Sequence, residues 1–202
     1  MNFNELNILF EDNYIIVCEK PSGILSEGAG SMTDILGERA EQIFCVHRLD
    51  RETSGLMVYA KTSAAAASLS EQIRRSEFEK EYLALIEGEP DQDTGIFEDM
   101  LFFDRTKNKS FVIKGGKARK GVKRASLEYS VIEKRGDSSL VRVKLHTGRT
   151  HQIRVQFASR GMPLVADRRY GAKPCEQKTF SLRACRISFY HPQTKEKITF
   201  EL

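Results

Sequence analysis

Residues 47–62 read HRLDRETSGLMVYAKT and join a charged turn to an apolar segment. Asp50 lies between Arg48 and Arg51, and a nearby cation favours the ionised form of a carboxyl group, so we expect Asp50 to be charged. The branched and aromatic run LMVYAK predicts a strand that is buried on both faces. The sequence therefore places a charged carboxylate directly before a core strand, as either a reactive group or part of a structural ion pair.

Strand patterns outnumber helix patterns along the chain. The predicted strands lie before a turn at 11–13 and then at 14–18, 56–61, 80–88, 126–133, 140–145 and twice within 180–202. Capping residues and apolar spacing predict three helices, namely residues 32–42, a helix from Thr62 or Ser63 to Phe78, and a helix that Thr150 caps and Gly161 ends. This balance predicts an α+β fold with a mixed or antiparallel sheet and flanking helices.

Length and composition favour one compact domain. The chain has 202 residues, of which 40% are hydrophobic, and this is enough to bury a core. No apolar run approaches the roughly 20 residues that cross a bilayer, and we see neither a leader peptide nor a C-x-x-C pair. We therefore expect a single catalytic domain over residues 1–202, in the cytoplasm and without membrane contact.

Positive charge is concentrated in residues 105–124, which hold nine Lys or Arg and no Asp or Glu. Such a segment attracts a polyanion through phosphate contacts and counterion release. A solvated loop or an edge strand protected by lysines would explain the same composition. Within this segment, the pair at residues 115–116 predicts a hairpin turn.

The stretch HTGRTHQIR, residues 146–154, predicts a junction between a strand and a helix, where Arg149 and Arg154 could receive an anion. Arg154 could instead lie in the core and pair with Asp50, because a buried arginine needs a carboxylate. His146 and His151 lack the i, i+4 spacing of zinc-binding helices, so we expect no metal site.

Tyr82 follows Lys80 and Glu81 in a strand that we expect to be buried. Its ring could belong to the core, with the hydroxyl bound to a partner. It could also be a platform on which a base stacks. The residues alone leave both interpretations open.

Taken together, the motifs resemble the RluA-type pseudouridine synthases. The stretch HRLDRETSGL matches the family pattern H-R-L-D-x-x-T-S-G-L at every fixed position. ILFEDNYIIVCEKPSGIL, EKEYLALIEG and HTGRTHQIRVQFASRGMPLVADRRYG resemble the other family motifs, in the family's order. The chain departs from the family pattern at Gln156, Met162, Ala166 and Arg183.

The resemblance implies the pseudouridine synthase fold and isomerisation of specific uridines in ribosomal or transfer RNA, with no cofactor and no metal. It implies that Asp50 is the catalytic aspartate, that Tyr82 stacks on the target base, and that Arg154 pairs with Asp50. Arg48 would enter the RNA in place of the flipped nucleotide. The predicted RNA contacts are cationic or hydrogen-bonding side chains around the motifs, namely Arg48, Arg51, Thr53, Lys117, Arg119, Lys120, Arg149 and His151.

Two other functions stay open at this point. An RNA-binding protein could keep the fold without the activity, and a glycoside hydrolase would need a second acid, for which Glu52 is the nearest candidate. Many relatives carry a small N-terminal RNA-binding domain, and we expect none here. Because no apolar helix face is predicted to be exposed, we also expect a monomer.

Overall fold

The computed structural model describes residues 6–115, 120–177 and 179–202, which form two compact units. The first unit comprises Met1–Lys80 and Arg183–Leu202, and the second comprises Glu81–Leu182. The expectation of one catalytic domain over residues 1–202 stays a prediction.

Strands predominate over helices in both units, which confirms the predicted α+β class. The helices are α1 Met32–Leu36, α2 Ser63–Arg74 and α3 Gln152–Ala158, with a short 3-10 helix at Arg168–Tyr170. The strands are β1 Ile8–Glu11, β2 Ile15–Lys20, β3 Phe44–Cys45, β4 Ser54–Ala60, β5 Glu79–Glu87, β6 Thr94–Asp104, β7 Lys109–Val112, β8 Val122–Lys134, β9 Ser138–Leu145, β10 Leu182–Tyr190 and β11 Lys197–Glu201.

The sheet of the first unit is mixed and has the strand order β1-β2-β4-β10. Its pairs are antiparallel except for β4 and β10, and β3 and β11 add to β4 and β10 respectively. Leu56, Val58 and Ala60 of β4 pack with Leu69 of α2 in one core cluster. Because the residues of β4 after Ser54 are buried without alternation, the prediction of a strand buried on both faces is confirmed.

Gly55 explains why the charged turn ends in Thr-Ser-Gly. It lies opposite Ala184 where β10 runs parallel to β4, with a φ of +112°. A Cβ atom at this position would lie 2.2 Å from the carbonyl oxygen of Ala184. Only glycine allows the two backbones to approach this closely.

The second unit has an antiparallel sheet with the order β5-β9-β8-β6-β7. Phe97 of β6, Tyr129 of β8 and Phe157 of α3 form a group of ring contacts with centroids 4.8 to 5.7 Å apart. These edge and tilted contacts fix α3 on the sheet. The strands predicted at 126–133 and 140–145 correspond to β8 and β9, which pair in an antiparallel arrangement.

Two helices end earlier than their sequence patterns predict. We expected α1 to run to residue 42, but it ends at Leu36, because Gly37 closes a tight turn and the residues after it have no apolar face to bury. We expected α2 to reach Phe78, but it ends at Arg74. Ser76 has a φ of 61°, and the chain turns so that the Phe78 ring enters the core, where it stacks on Phe189.

The start of α3 also differs from the prediction, because Thr150 does not cap it. His151 occupies the cap position with a φ of 54°, and its side chain makes no capping hydrogen bond. The Gln152 side chain accepts from the amide of Arg149 instead. The helix ends at Ala158, before the expected stop at Gly161.

Charged and irregular sequence concealed part of the sheet. Strands β6 and β7 were not predicted, and β8 begins at Val122, inside the basic segment, rather than at residue 126. Within the three described ranges, no helix is long and apolar enough to span a membrane.

Candidate active site

Asp50 lies in the turn between β3 and β4 of the first unit, half-buried, and its carbonyl accepts a hydrogen bond from the Thr53 amide at 3.0 Å. Residues 20–26 hold this turn through its main chain. The hydroxyl of Ser26 accepts from the Leu49 amide and donates to the Leu49 carbonyl, both at 3.1 Å. The turn is therefore fixed by a neighbouring loop rather than by regular strand pairing.

His47 anchors the other end of the same turn. Its ring is buried, its Nε2 accepts from the Val58 amide at 3.2 Å, and it lies against Phe78 with the ring centroids 5.2 Å apart. Burial, together with the nearby Lys80 cation, lowers the pKa of His47 to about 3. Strand β4 pairs with β10 near its start and with β3 near its end. Between these two regions, the neutral ring of His47 accepts the hydrogen bond of the Val58 amide.

We predict that His47 makes the fold sensitive to acid. Its pKa is lowered to about 3 in the folded chain, so the unfolded chain binds the proton first as the pH falls below about 6.5. The stabilisation is complete above that pH and is lost towards pH 3, with a loss of about 2 kcal/mol by pH 5. Urea unfolding between pH 8 and about pH 5 measures it.

His47→Gln is the matched variant for this prediction, because its amide oxygen can accept from Val58 but does not titrate. We expect the variant to be less stable at neutral pH and to lose less stability between pH 8 and 5 than the wild type. Equal pH slopes for the two proteins would contradict the assignment to His47.

The predicted RNA contacts of the first unit surround Asp50. Arg48 is exposed and pairs with Glu27 at 3.2 Å, while Nε of Arg51 donates to the Gly23 carbonyl at 2.9 Å. Thr53 is buried, and its hydroxyl has no hydrogen-bond partner among the described residues. A buried hydroxyl without a hydrogen-bond partner reduces the stability of the fold, so the Thr53 hydroxyl is an unusual feature of this turn.

Arg154 lies in α3 of the second unit and is bound to a carboxylate, as a buried arginine requires. Its Nε and one terminal nitrogen donate to the two oxygens of Asp167 at 2.6 and 2.9 Å. The guanidinium also lies 4.3 Å from the ring centroid of Phe180 and 4.9 Å from that of Tyr170. The two charges are 6% and 1% exposed, so their interaction is poorly screened.

Tyr82 lies in β5, also in the second unit, and is 5% exposed. It is on the same face of the strand as the buried Ala84 and Ile86. The prediction of a largely buried strand is confirmed. The role of the ring in stacking on a base stays a prediction.

Gln152 organises the 146–154 segment. Its amide oxygen accepts from the Thr147 hydroxyl at 2.7 Å and from the Arg149 amide at 3.0 Å, and its nitrogen donates to the Ser126 carbonyl. Nδ1 of His151 and the hydroxyl of Tyr170 are 2.9 Å apart. The segment is therefore ordered by its own polar side chains, and Arg149 and His151 both remain partly exposed.

The remaining predicted RNA contacts belong to the basic segment. Lys120 is exposed and lies two residues before β8. Lys117 and Arg119 lie outside the described residues. The predicted hairpin turn at residues 115–116 falls partly outside them as well.

Two of the departures from the family pattern have a visible structural role. Gln156 is fully buried and donates to the Phe97 carbonyl and to a carboxylate oxygen of Asp99. Ala166 has a φ of 68°, a conformation that glycine adopts without strain. Gln156 lies two residues after Arg154, and Ala166 directly precedes Asp167.

Each unit thus gathers its own subset of the predicted site. Asp50 lies in the first unit, and Tyr82 and Arg154 lie in the second. The ion pair between Asp50 and Arg154 stays a prediction. Sequence reasoning missed Asp167, which is the acid that binds Arg154 in the structure. A buried arginine needs a carboxylate partner, and Asp167, 13 residues further along the chain, could have been considered on the same grounds as Asp50. It also missed Lys20, a buried cation whose charge interacts with those of Glu52 and Asp50.

A metal site requires several ligand side chains close together in space. Across 6–115, 120–177 and 179–202, no group of three or more His, Cys, Asp or Glu side chains could hold a metal ion. The expectation of a reaction without metal or cofactor stays a prediction.

Comparison with known proteins adds a family assignment to this geometry. The model of a family described as RNA pseudouridylate synthase matches residues 14–159. The chain is 35% identical to an uncharacterized RNA pseudouridine synthase of Aquifex aeolicus, covering 98% of this chain and 69% of that protein. It is 34% identical to ribosomal large subunit pseudouridine synthase C of Buchnera aphidicola, covering 97% of this chain and 66% of that protein.

Solved structures agree on the fold. Human RNA pseudouridylate synthase domain containing 1 matches with a TM-score of 0.84 at 24% identity, covering 100% of this chain and 84% of that chain. Human RNA pseudouridylate synthase domain containing 4 matches with a TM-score of 0.81 at 21% identity, covering 97% of this chain and 87% of that chain. The chain spans about two thirds of the length of the two bacterial relatives.

Proposed function

The chain belongs to the RNA pseudouridylate synthase family, and from this premise we propose that it isomerises specific uridines of structured RNA to pseudouridine. The observation that carries the proposal is Asp50 within HRLDRETSG, held in a turn whose main chain is bound by residues 20–26. Such a fixed carboxylate suits nucleophilic or electrostatic catalysis.

The reaction conserves all atoms of the substrate. The bond between N1 of uracil and C1′ of ribose breaks, the base turns, and a bond forms between C5 and C1′ while C5 loses a proton and N1 gains one. Asp50 would assist cleavage of the glycosidic bond as the catalytic aspartate. Tyr82 would stack on the base and assist the proton transfer at C5, and Arg154 would pair with Asp50.

We propose ribosomal RNA as the preferred substrate class. A relative that is 34% identical over 97% of this chain is named a ribosomal large subunit pseudouridine synthase. Transfer RNA is the alternative, because both present splayed loops in which a base can be extruded. Arg48 would fill the position of the flipped nucleotide. The proposal includes a monomer that acts in the cytoplasm.

The tip between β6 and β7 supports RNA binding by the second unit. Arg169 donates to the Asn108 carbonyl at 2.8 Å, which ties the tip to the 3-10 helix. Lys107 and Arg168 are exposed, and Nζ of Lys109 lies 5.0 Å from the ring centroid of Tyr170. In the described ranges, no acidic side chain pairs with any of these three cations. Such a surface can bind phosphates.

We predict that replacing Lys107 and Arg168 with Gln lowers the salt dependence of RNA binding. Each lost phosphate contact should reduce the slope of log K against log salt by about 1. The control is the double variant Arg74→Gln and Arg75→Gln, which removes two exposed cations that already pair with Glu71. Filter binding across a salt series measures the slopes. Equal slopes for the two double variants would contradict this surface.

An RNA-binding protein without catalytic activity is the second candidate, because the departures at Gln156 and Ala166 lie next to Arg154 and Asp167. This second candidate predicts that the wild type and Asp50→Asn both bind RNA and that neither forms pseudouridine.

Pseudouridine mapping at nucleotide resolution separates the two candidates. RNA is taken from cells that lack the protein and from the same cells supplied with the wild type or with Asp50→Asn. Sites that disappear and are restored only by the wild type support the enzyme and identify the uridine. Unchanged sites, together with salt-sensitive binding by the purified protein, support the second candidate.

A further inference from the structure

Lys20 is the last residue of β2 and is fully buried, which is unusual for a lysine. Its ammonium donates to the carbonyl oxygens of Pro21 at 2.8 Å, Ile24 at 2.7 Å and Arg51 at 3.0 Å. A protonated amine has three donors, and all three are used here. The side chain is therefore a fixed junction rather than a solvated charge.

The three carbonyls belong to two different loops. Two lie in the loop that follows β2, and the third lies in the turn that carries Asp50. The Gly23 amide donates to the same Arg51 carbonyl at 2.8 Å, and the Ser22 hydroxyl donates to the Glu52 carbonyl at 2.8 Å. The ammonium thus lies where the loop and the turn meet.

The charges around the ammonium are those of the turn. Asp50 and Glu52 both favour its protonated form, and Arg51 directs its own Nε to the Gly23 carbonyl. Residues 21–26 contribute neutral groups alone, as do residues 54–60 of β4. Burial outweighs the two carboxylates and lowers the pKa of Lys20 to about 8.

We propose that Lys20 is a positioning residue for Asp50: its ammonium binds both loops through their carbonyls and holds the turn in the geometry that the reaction requires. The inference rests on the proposed function. Lys20 makes no contact with the substrate in this role. It acts through the Arg51 carbonyl, next to Asp50 in the chain, and through its charge.

A neutral side chain cannot replace this junction. An uncharged amine has two donors and one lone pair, so one of the three carbonyls would face a lone pair instead of a proton. Loosening of the turn moves Asp50 away from the productive geometry, and a misplacement of about 1 Å costs rate more than affinity.

The test compares Lys20→Met with the wild type in single-turnover reactions on a ribosomal RNA transcript that contains the mapped uridine. We expect the rate of pseudouridine formation to fall at least about tenfold, with less than about a threefold change in the Kd for the RNA. The matched control is Lys61→Met. Lys61 is 16% exposed, pairs with Glu11 and donates to the Asp12 carbonyl at 2.7 Å, at the other end of β2. We expect it to keep the wild-type rate.

The pH profile provides a readout that a general loss of stability would not produce. With the pKa of Lys20 near 8, the wild-type rate should fall as the pH rises above about 8. In Lys20→Met this alkaline fall should be absent, whereas Lys61→Met should retain it. The proposal would be overturned if Lys20→Met kept the wild-type rate. It would also be overturned if the rate of Lys20→Met still fell above about pH 8 as in the wild type.

Hydrogen exchange separates failure of this inference from failure of the proposed function. If the wild type forms no pseudouridine, the proposed function fails and the exchange of the Thr53 and Gly23 amides still tests the junction. Faster exchange at both amides in Lys20→Met but not in Lys61→Met supports it. Exchange equal to that of the wild type overturns it.

Discussion

Asp50→Asn is expected to reduce pseudouridine formation by about 10³-fold or more while the chain keeps its fold. An amide has the size of a carboxylate but is neither a nucleophile nor an anion, so the variant removes the chemistry and little else. The bond from the Thr53 amide to the Asp50 carbonyl uses the main chain and is unaffected. Single-turnover assays on the mapped RNA, with thermal unfolding in parallel, measure both effects.

Glu52→Gln is the matched control for Asp50→Asn, because it removes the other carboxylate of the same turn. Its carbonyl, rather than its carboxylate, binds the Ser22 hydroxyl. We expect Glu52→Gln to keep the rate within about tenfold of the wild type. Comparable losses in both variants, with free base released by the wild type, would instead favour a hydrolase that uses paired carboxylates.

Elements with one strong local signal were predictable from the sequence. The apolar run of β4 and the Thr62 cap of α2 were both predicted, and the structure agrees. The turn that carries Asp50 was also located, because it combines charges with Thr53 and Gly55 directly before a core strand. Local composition was sufficient in these cases because the neighbours in the chain are also the neighbours that decide the conformation.

Features that depend on distant partners were not predictable. Nothing in the sequence around Lys20 indicates that it is buried, and one of the three carbonyls that bind its ammonium belongs to Arg51, 31 residues away. Likewise, Thr150 does not cap α3, because Gln152 binds the Arg149 amide while the Ser126 carbonyl, 26 residues away, fixes its side chain. In both cases hydrogen bonds between a side chain and the main chain decide the local structure.

Charge concealed structure in the second unit. The composition of residues 105–124 left a solvated loop and an edge strand open beside polyanion binding, and β7 and the first residues of β8 lie within that segment. Strands at the border of a sheet tolerate lysine and arginine on their solvent side. A basic segment can therefore contribute strands to a sheet and still present cations to a polyanion, so the interpretations that composition left open are compatible.

Arg154→Met is expected to destabilise the chain by about 3–5 kcal/mol, the largest stability effect that we predict. The substitution preserves length and apolar packing against Phe180 but leaves Asp167, which is 1% exposed, without its cation. An uncompensated buried carboxylate either pays its desolvation penalty or takes up a proton. Urea unfolding at pH 7 measures the loss.

Arg160→Met is the matched control for this prediction. Arg160 follows α3 and pairs with Asp99 at 2.9 Å, but the two side chains are 30% and 12% exposed, against 6% and 1% for Arg154 and Asp167, so solvent screens this pair more strongly. Its loss should be smaller than that of Arg154→Met. The double variant Arg154→Met with Asp167→Leu removes both buried charges and should recover part of the stability. If the double variant is less stable than Arg154→Met alone, the cost lies in packing around Arg154 and the ion pair is not its cause.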